Sequence, residues 1–134
     1  MRRAIVLAAL LGGLCACGSS AASTAPQRIV FGVGGGNMVP YQVTIEPTGR
    51  VRASGTMQTT RHRLSHAEVV LLSRLVREGF AAGVKSRLCA GTNPDVGSDF
   101  IRAYGRTVRV HGNCEPRFHR LWRTLAQAVG LRYG

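Results

Sequence analysis

The chain has 134 residues and a formal net charge of +12, from 18 basic and six acidic side chains. That length suits one compact domain and excludes two of typical size. The positive charge is nearly all arginine, with Lys85 the one lysine, and favours anionic neighbours such as lipid headgroups or acidic wall polymers.

Met1-Arg2-Arg3 leads into an apolar run from Ala4 to Leu14, followed by Cys15-Ala16-Cys17-Gly18-Ser19-Ser20. A charged start, a short apolar stretch and a small-residue site are the parts of a signal peptide. The run is shorter than the roughly 20 apolar residues that a membrane span takes. Leu14-Cys15-Ala16-Cys17 resembles the lipobox of bacterial lipoproteins, with an aliphatic residue three places before the cysteine and a small residue just before it. The resemblance implies cleavage before Cys17, diacylglycerol on its thiol and a fatty acyl chain such as palmitate on the freed amine. Such a protein is held at the cell envelope, outside the cytoplasm, without a transmembrane helix. Nucleic acid, compatible with the composition, sits badly with export. Ordinary secretory cleavage after Ala22 or Ala25 is the alternative, and it would start the mature chain at Ser23 or Pro26.

The expected organisation is a signal peptide over residues 1–16, an anchor cysteine and flexible tether over 17–27, and a single domain over 28–134. Taking 16 residues from 134 leaves 118, and losing Arg2 and Arg3 lowers the formal charge from +12 to +10. The tether reading rests on Gly18 to Gln27, which are small and polar with no hydrophobic period.

Ile29, Phe31 and Val33 alternate with Val30 and Gly32, a first strand running into Gly34-Gly35-Gly36-Asn37. Tyr41, Val43 and Ile45 alternate with polar residues, and Val51 and Ala53 continue the pattern after Pro47-Thr48-Gly49. Proline early and glycine late suit a type I turn, so three antiparallel strands are expected. Ser65 and Glu68 form a capping box, and Val69, Leu72, Leu75, Val76 and Phe80 then fall on one helix face, with an end near Gly79 or Gly83. Residues 86–98 read as a loop. Phe100 to Tyr104 and Thr107 to Val110 form a second hairpin across Gly105-Arg106. Glu115-Pro116 opens a last helix, with Phe118, Leu121, Trp122, Leu125 and Val129 on its apolar face and Gly130 as its stop. The fold class is therefore α+β: an antiparallel sheet, elements in the order βββαββα, with two helices packed on one face.

With Cys15 discarded and Cys17 lipidated, Cys89 and Cys114 remain for one disulfide in an oxidising compartment. Closing a loop of about 26 residues stabilises by roughly 3 to 4 kcal/mol in the chain-entropy model.

No motif implies a cofactor, a metal or a catalytic centre. The cluster Gly34, Gly35, Gly36 precedes a strand and lacks a Gly-Lys-Ser or Gly-Lys-Thr, so it reads as a mobile loop rather than a phosphate cradle. Its tip, Asn37, Met38 and Val39, is the candidate partner contact. His62 and His66 are four apart, but Ser65 as cap puts His62 outside the helix. Asp95 and Asp99 share a loop region and are candidates for a carboxylate pair. His111 reads as a strand-end residue, and His119 as a solvated helix residue. Arg117, Arg120 and Arg123 form a basic helix face suited to anionic lipid or wall polymer.

The Gly34-Gly35 step, the Ser65-to-Phe80 helix, Cys89, Asp99-Phe100, Arg106-Thr107-Val108 and Cys114 together resemble small exported bacterial domains often carried on lipoproteins. In architecture the chain is also similar to emfourin-type inhibitors of thermolysin-like metalloproteases, whose Gly-Gly loop joins strands of a cystatin-like sheet. These readings give a non-catalytic binding or accessory domain as the expectation, an extracellular protease inhibitor as the alternative and a small hydrolase as a further one. The partners expected are a membrane through the lipid and a protein or a protease.

Overall fold

A computed structural model describes residues 25–133. The signal peptide, Cys17 and most of the tether lie outside the described residues. The described chain is α+β, with a six-stranded sheet, a two-stranded sheet and two helices.

Strand β1 (Ile29–Gly34), β2 (Tyr41–Ile45) and β3 (Val51–Ser54) form the expected antiparallel meander. Its second turn has the expected chemistry. The Gly49 amide donates to the Glu46 carbonyl at 2.9 Å, and Gly49 sits at φ +84°, where a β-carbon would also strike the Leu64 carbonyl.

A short strand β4 (Met57–Thr59) precedes helix α1 (His66–Ala81), which starts on Ser65 with both halves of the capping box in place. The Glu68 carboxylate also holds Arg61 at 2.8 Å, and these hydrogen bonds lower its pKa to about 2. Val69, Leu72, Val76 and Phe80 are buried on the face that the periodicity selects. Helix α2 (Pro116–Val129) begins on its proline and buries Phe118, Leu121, Leu125 and Val129. It ends at Gly130 in the left-handed conformation.

Three strands were not legible. Beside β4 these are β5 (Arg87–Leu88), inside the stretch read as a loop, and β8 (Leu131–Tyr133), beyond the helix stop. With β6 (Ser98–Ala103) and β7 (Arg106–His111), the main sheet has the order β3-β2-β1-β6-β7-β5, and β4 pairs with β8 apart from it. The sheet is mixed, because β5 runs parallel to β7. The second hairpin also turns one residue earlier than its sequence suggested. Tyr104 and Gly105 are the turn residues, both with positive φ (53° and 67°), and the Tyr104 hydroxyl donates to the Ser73 carbonyl at 2.8 Å. That bond ties the hairpin tip to α1, a tertiary contact that offsets the strain of a tyrosine at positive φ.

One core joins both helices to one face of the sheet, centred on Phe31, Ile45, Ile101, Val76, Phe118 and Leu125. The register places Thr44 beside Arg52, Arg102 beside Thr107, and Phe100 beside Arg109, all on the opposite face. No helix of the described residues lies over that face.

Candidate functional site

The chain enters β1 from Arg28, and the Gly34–Pro40 loop leaves from the other end of the same strand. The antiparallel register puts the start of β6, the end of β7 and the beginning of β2 at that end too. Functional candidates from distant parts of the sequence therefore meet there.

Read from sequence as a mobile connection, the glycine loop is pinned. The Asn37 amide nitrogen donates to the Asp95 carbonyl at 3.0 Å, and its side-chain nitrogen donates to Asp95 Oδ1 at 2.9 Å. Gly36 lies so close to the 95–96 backbone that a β-carbon would sit 2.5 Å from the Asp95 oxygen. The Asp95 amide in turn binds Asn93 Oδ1, the geometry of an Asx turn. On this fixed backbone Met38, Val39 and Val96 stay 44%, 61% and 45% exposed. Single exposed apolar side chains are ordinary, whereas these three stand on two mutually braced loops.

The disulfide joins Cys89 to Cys114 as expected, 25 residues apart. It ties the loop before β6 to the chain entering α2. Arg87 reinforces the junction through Glu115 at 3.1 Å, and the Cys89 amide donates to the His111 carbonyl.

Asp95 and Asp99 do not pair with each other. Asp95 braces Asn37, while Asp99 faces His119, with Nδ1 3.5 Å from Oδ2. His119 is not the solvated residue that its helix position suggested: its side chain is 16% exposed, against 30% for Asp99. Its Nε2 lies 3.0 Å from the Gly112 carbonyl oxygen, which only accepts, so that nitrogen carries a proton. Nδ1 then faces the carboxyl. Burial pushes the Asp99 carboxyl above its ordinary range, and the His119 charge partly offsets this. The pair floors a recess of about 430 Å³ with Tyr41, Met38 and Trp122 around it. Trp122 packs edge-on to Phe31 and donates its indole proton to the Gly32 carbonyl at 3.3 Å. Both imidazole nitrogens are thus engaged, and no serine, threonine or cysteine lines the recess. The pair ties β6 to α2.

The raised Asp99 pKa has a definite sign for stability. The folded state holds this proton more tightly than the unfolded chain, so its contribution is complete below the unfolded value near ~3.9. It is lost as pH rises through the higher folded value. Asp99→Asn should therefore gain stability relative to the native protein as pH rises from acid towards neutral, with the thermal midpoints converging again in acid. A midpoint difference that stays flat across that range would show that burial does not govern this carboxyl.

Of the basic helix face, Arg117 and Arg120 border a groove between α1 and α2, and Arg117 donates to the Ala82 carbonyl at 3.3 Å. Arg123 turns back to the His119 carbonyl. The three arginines are exposed. Sequence reading missed His119. The signal available was its place three residues before Trp122, on the same side of α2.

Scans against protein-family models, curated proteins and solved structures return no match to this chain.

Proposed function

We propose that this chain is a lipid-anchored envelope protein, exposed outside the cytoplasm, whose domain binds a protein partner through its paired loops and catalyses no reaction. The observation that carries the binding reading is the braced pair of loops 34–40 and 92–97, presenting Met38, Val39 and Val96. Backbone held in advance loses little entropy on binding, so a small apolar tip can contribute usefully to affinity. Position agrees with the anchor. The tether would arrive at the Arg28 end of β1, and six residues of strand, roughly 20 Å at about 3.3 Å each, separate that end from the loops. A domain held by lipid at one end presents its contact surface at the other.

Protease inhibition is the second reading, favoured by the same exposed Met38-Val39 segment on a fixed loop. One experiment addresses both. The full chain, isolated from envelope extract with its bound proteins, is compared with Met38→Asp/Val39→Asp. The proposal expects a partner that the native chain retains and the variant loses, with the variant's thermal midpoint unchanged because both sites are exposed. If that partner is a protease whose activity the native chain suppresses, the second reading takes over. Equal retention by both chains would remove the loops from the account. Mass spectrometry of the mature terminus tests the anchor: a diacylated Cys17 supports it, and an unmodified terminus at Ser23 or Pro26 overturns it.

A further inference from the structure

We propose that the face of the main sheet opposite the two described helices, with the cleft beside β7, binds a linear phosphodiester polymer of the polyol-phosphate kind. Two arginines over one ring, one of them lining this cleft, point there. All six acidic side chains are already engaged: Glu46 with Arg28, Glu68 with Arg61, Glu78 with Arg74, Glu115 with Arg87, Asp99 with His119 and Asp95 with Asn37. None of them borders the cleft. Arg102 and Arg109 have no carboxylate partner among the described residues, and their charge faces solvent uncompensated.

These two guanidiniums are positioned rather than loose. Each lies 5.9 Å from the centre of the Phe100 ring, and Arg102 Nε also donates to the Thr107 hydroxyl at 3.3 Å. An aromatic surface fixes a guanidinium while leaving its N-H groups free for an anion. The adjoining cleft, about 680 Å³, is bounded by Arg109, His111, Ser86, Ser98 and Thr107 on its polar side. Leu88, Pro94 and Val96 form its apolar side. Guanidinium forks and hydroxyl donors match the tetrahedral oxygens of a phosphate and the polyol hydroxyls between phosphates. Arg52 lies on the same face, three strands from Arg102, which is about 14 Å at the usual spacing, with Glu46 beside it offsetting part of its charge. That spread suits a chain with repeated charges better than a single ion.

Nucleic acid carries phosphodiesters too, but its sequence-tolerant binding to single strands depends on bases stacking against free aromatic rings. Phe100 is only 6% exposed, beneath the two arginines, and offers no such ring. Choosing a wall-type polymer also rests on the export reading above. The recognition chemistry does not.

The test uses the full chain in neutral detergent, titrated by calorimetry with a synthetic glycerol-phosphate oligomer. Binding should weaken with rising salt and fall at least about tenfold in Arg102→Gln/Arg109→Gln. It should survive in Arg63→Gln/Arg132→Gln, which removes the same charge away from the cleft. Arg102→Lys/Arg109→Lys guards against a folding defect: it keeps the charge and removes the fork, and should give an intermediate affinity. Equal loss in both glutamine pairs would reduce the effect to net charge and overturn the site. Tighter binding to single-stranded DNA, or binding only to phosphatidylglycerol vesicles, would overturn the assigned ligand. An unmodified Cys17 with oligomer binding intact would sink the anchor alone.

Discussion

Phe118→Ala is expected to cost about 3–5 kcal/mol of folding stability, the usual range for removing a fully buried phenylalanine. Phe118 is fully buried at the first turn of α2, in the core that joins both helices to the sheet, and its ring meets His119 edge-on at 5.3 Å. Against a total stability of about 5–15 kcal/mol, such a loss leaves a large fraction of molecules unfolded under mild stress. The thermal midpoint should fall by more than about 10 °C. Chemical denaturation of the native and variant chains measures it directly. A loss under about 1 kcal/mol would mean that the start of α2 yields more readily than its packing suggests.

Replacing both Cys89 and Cys114 with serine should cost about 3–4 kcal/mol, since the bridge closes a long loop in the unfolded chain. Its local consequence is more specific than its magnitude. The bridge holds residues 89–97 to the chain entering α2, and that segment carries Asp95, which braces the glycine loop. The serine pair should therefore lose the proposed partner of Met38 and Val39 at temperatures where the rest of the sheet is still folded. Hydrogen exchange would locate the opening: amides of 89–97 and Asn37 should exchange faster than those of β1 and β2. Uniform acceleration would instead assign the bridge to global stability alone. The Glu68 cap responds to pH in the opposite sense to Asp99. Its contribution is present above the ordinary carboxylate range and is lost as pH falls through about 2.

The two helices, the first meander, the disulfide partners and the proline start of α2 were all legible from the chain. Each rests on residues close in sequence or on elimination among few candidates. Ser65 and Glu68 are three apart, and the apolar spacing of α1 and α2 repeats every three or four residues. The paired strands β4 and β8 and the parallel strand β5 are two or three residues long, too short to show a period. Tyr104 read as a strand residue because the bond that holds it in the turn goes to Ser73, 31 positions away.

The sites divide in the same way. By itself the sequence determined an α+β domain, the pairing of Cys89 with Cys114, and which residues are apolar, charged or capped, because these follow from local periodicity, turn chemistry and composition. Tertiary structure alone decided that Asn37 meets Asp95 across 58 positions, that Asp99 meets His119, and that Arg102 and Arg109 flank Phe100 on the face opposite the two described helices. Those contacts depend on which strands lie side by side, and that order is set by how both helices bury one shared face of the sheet.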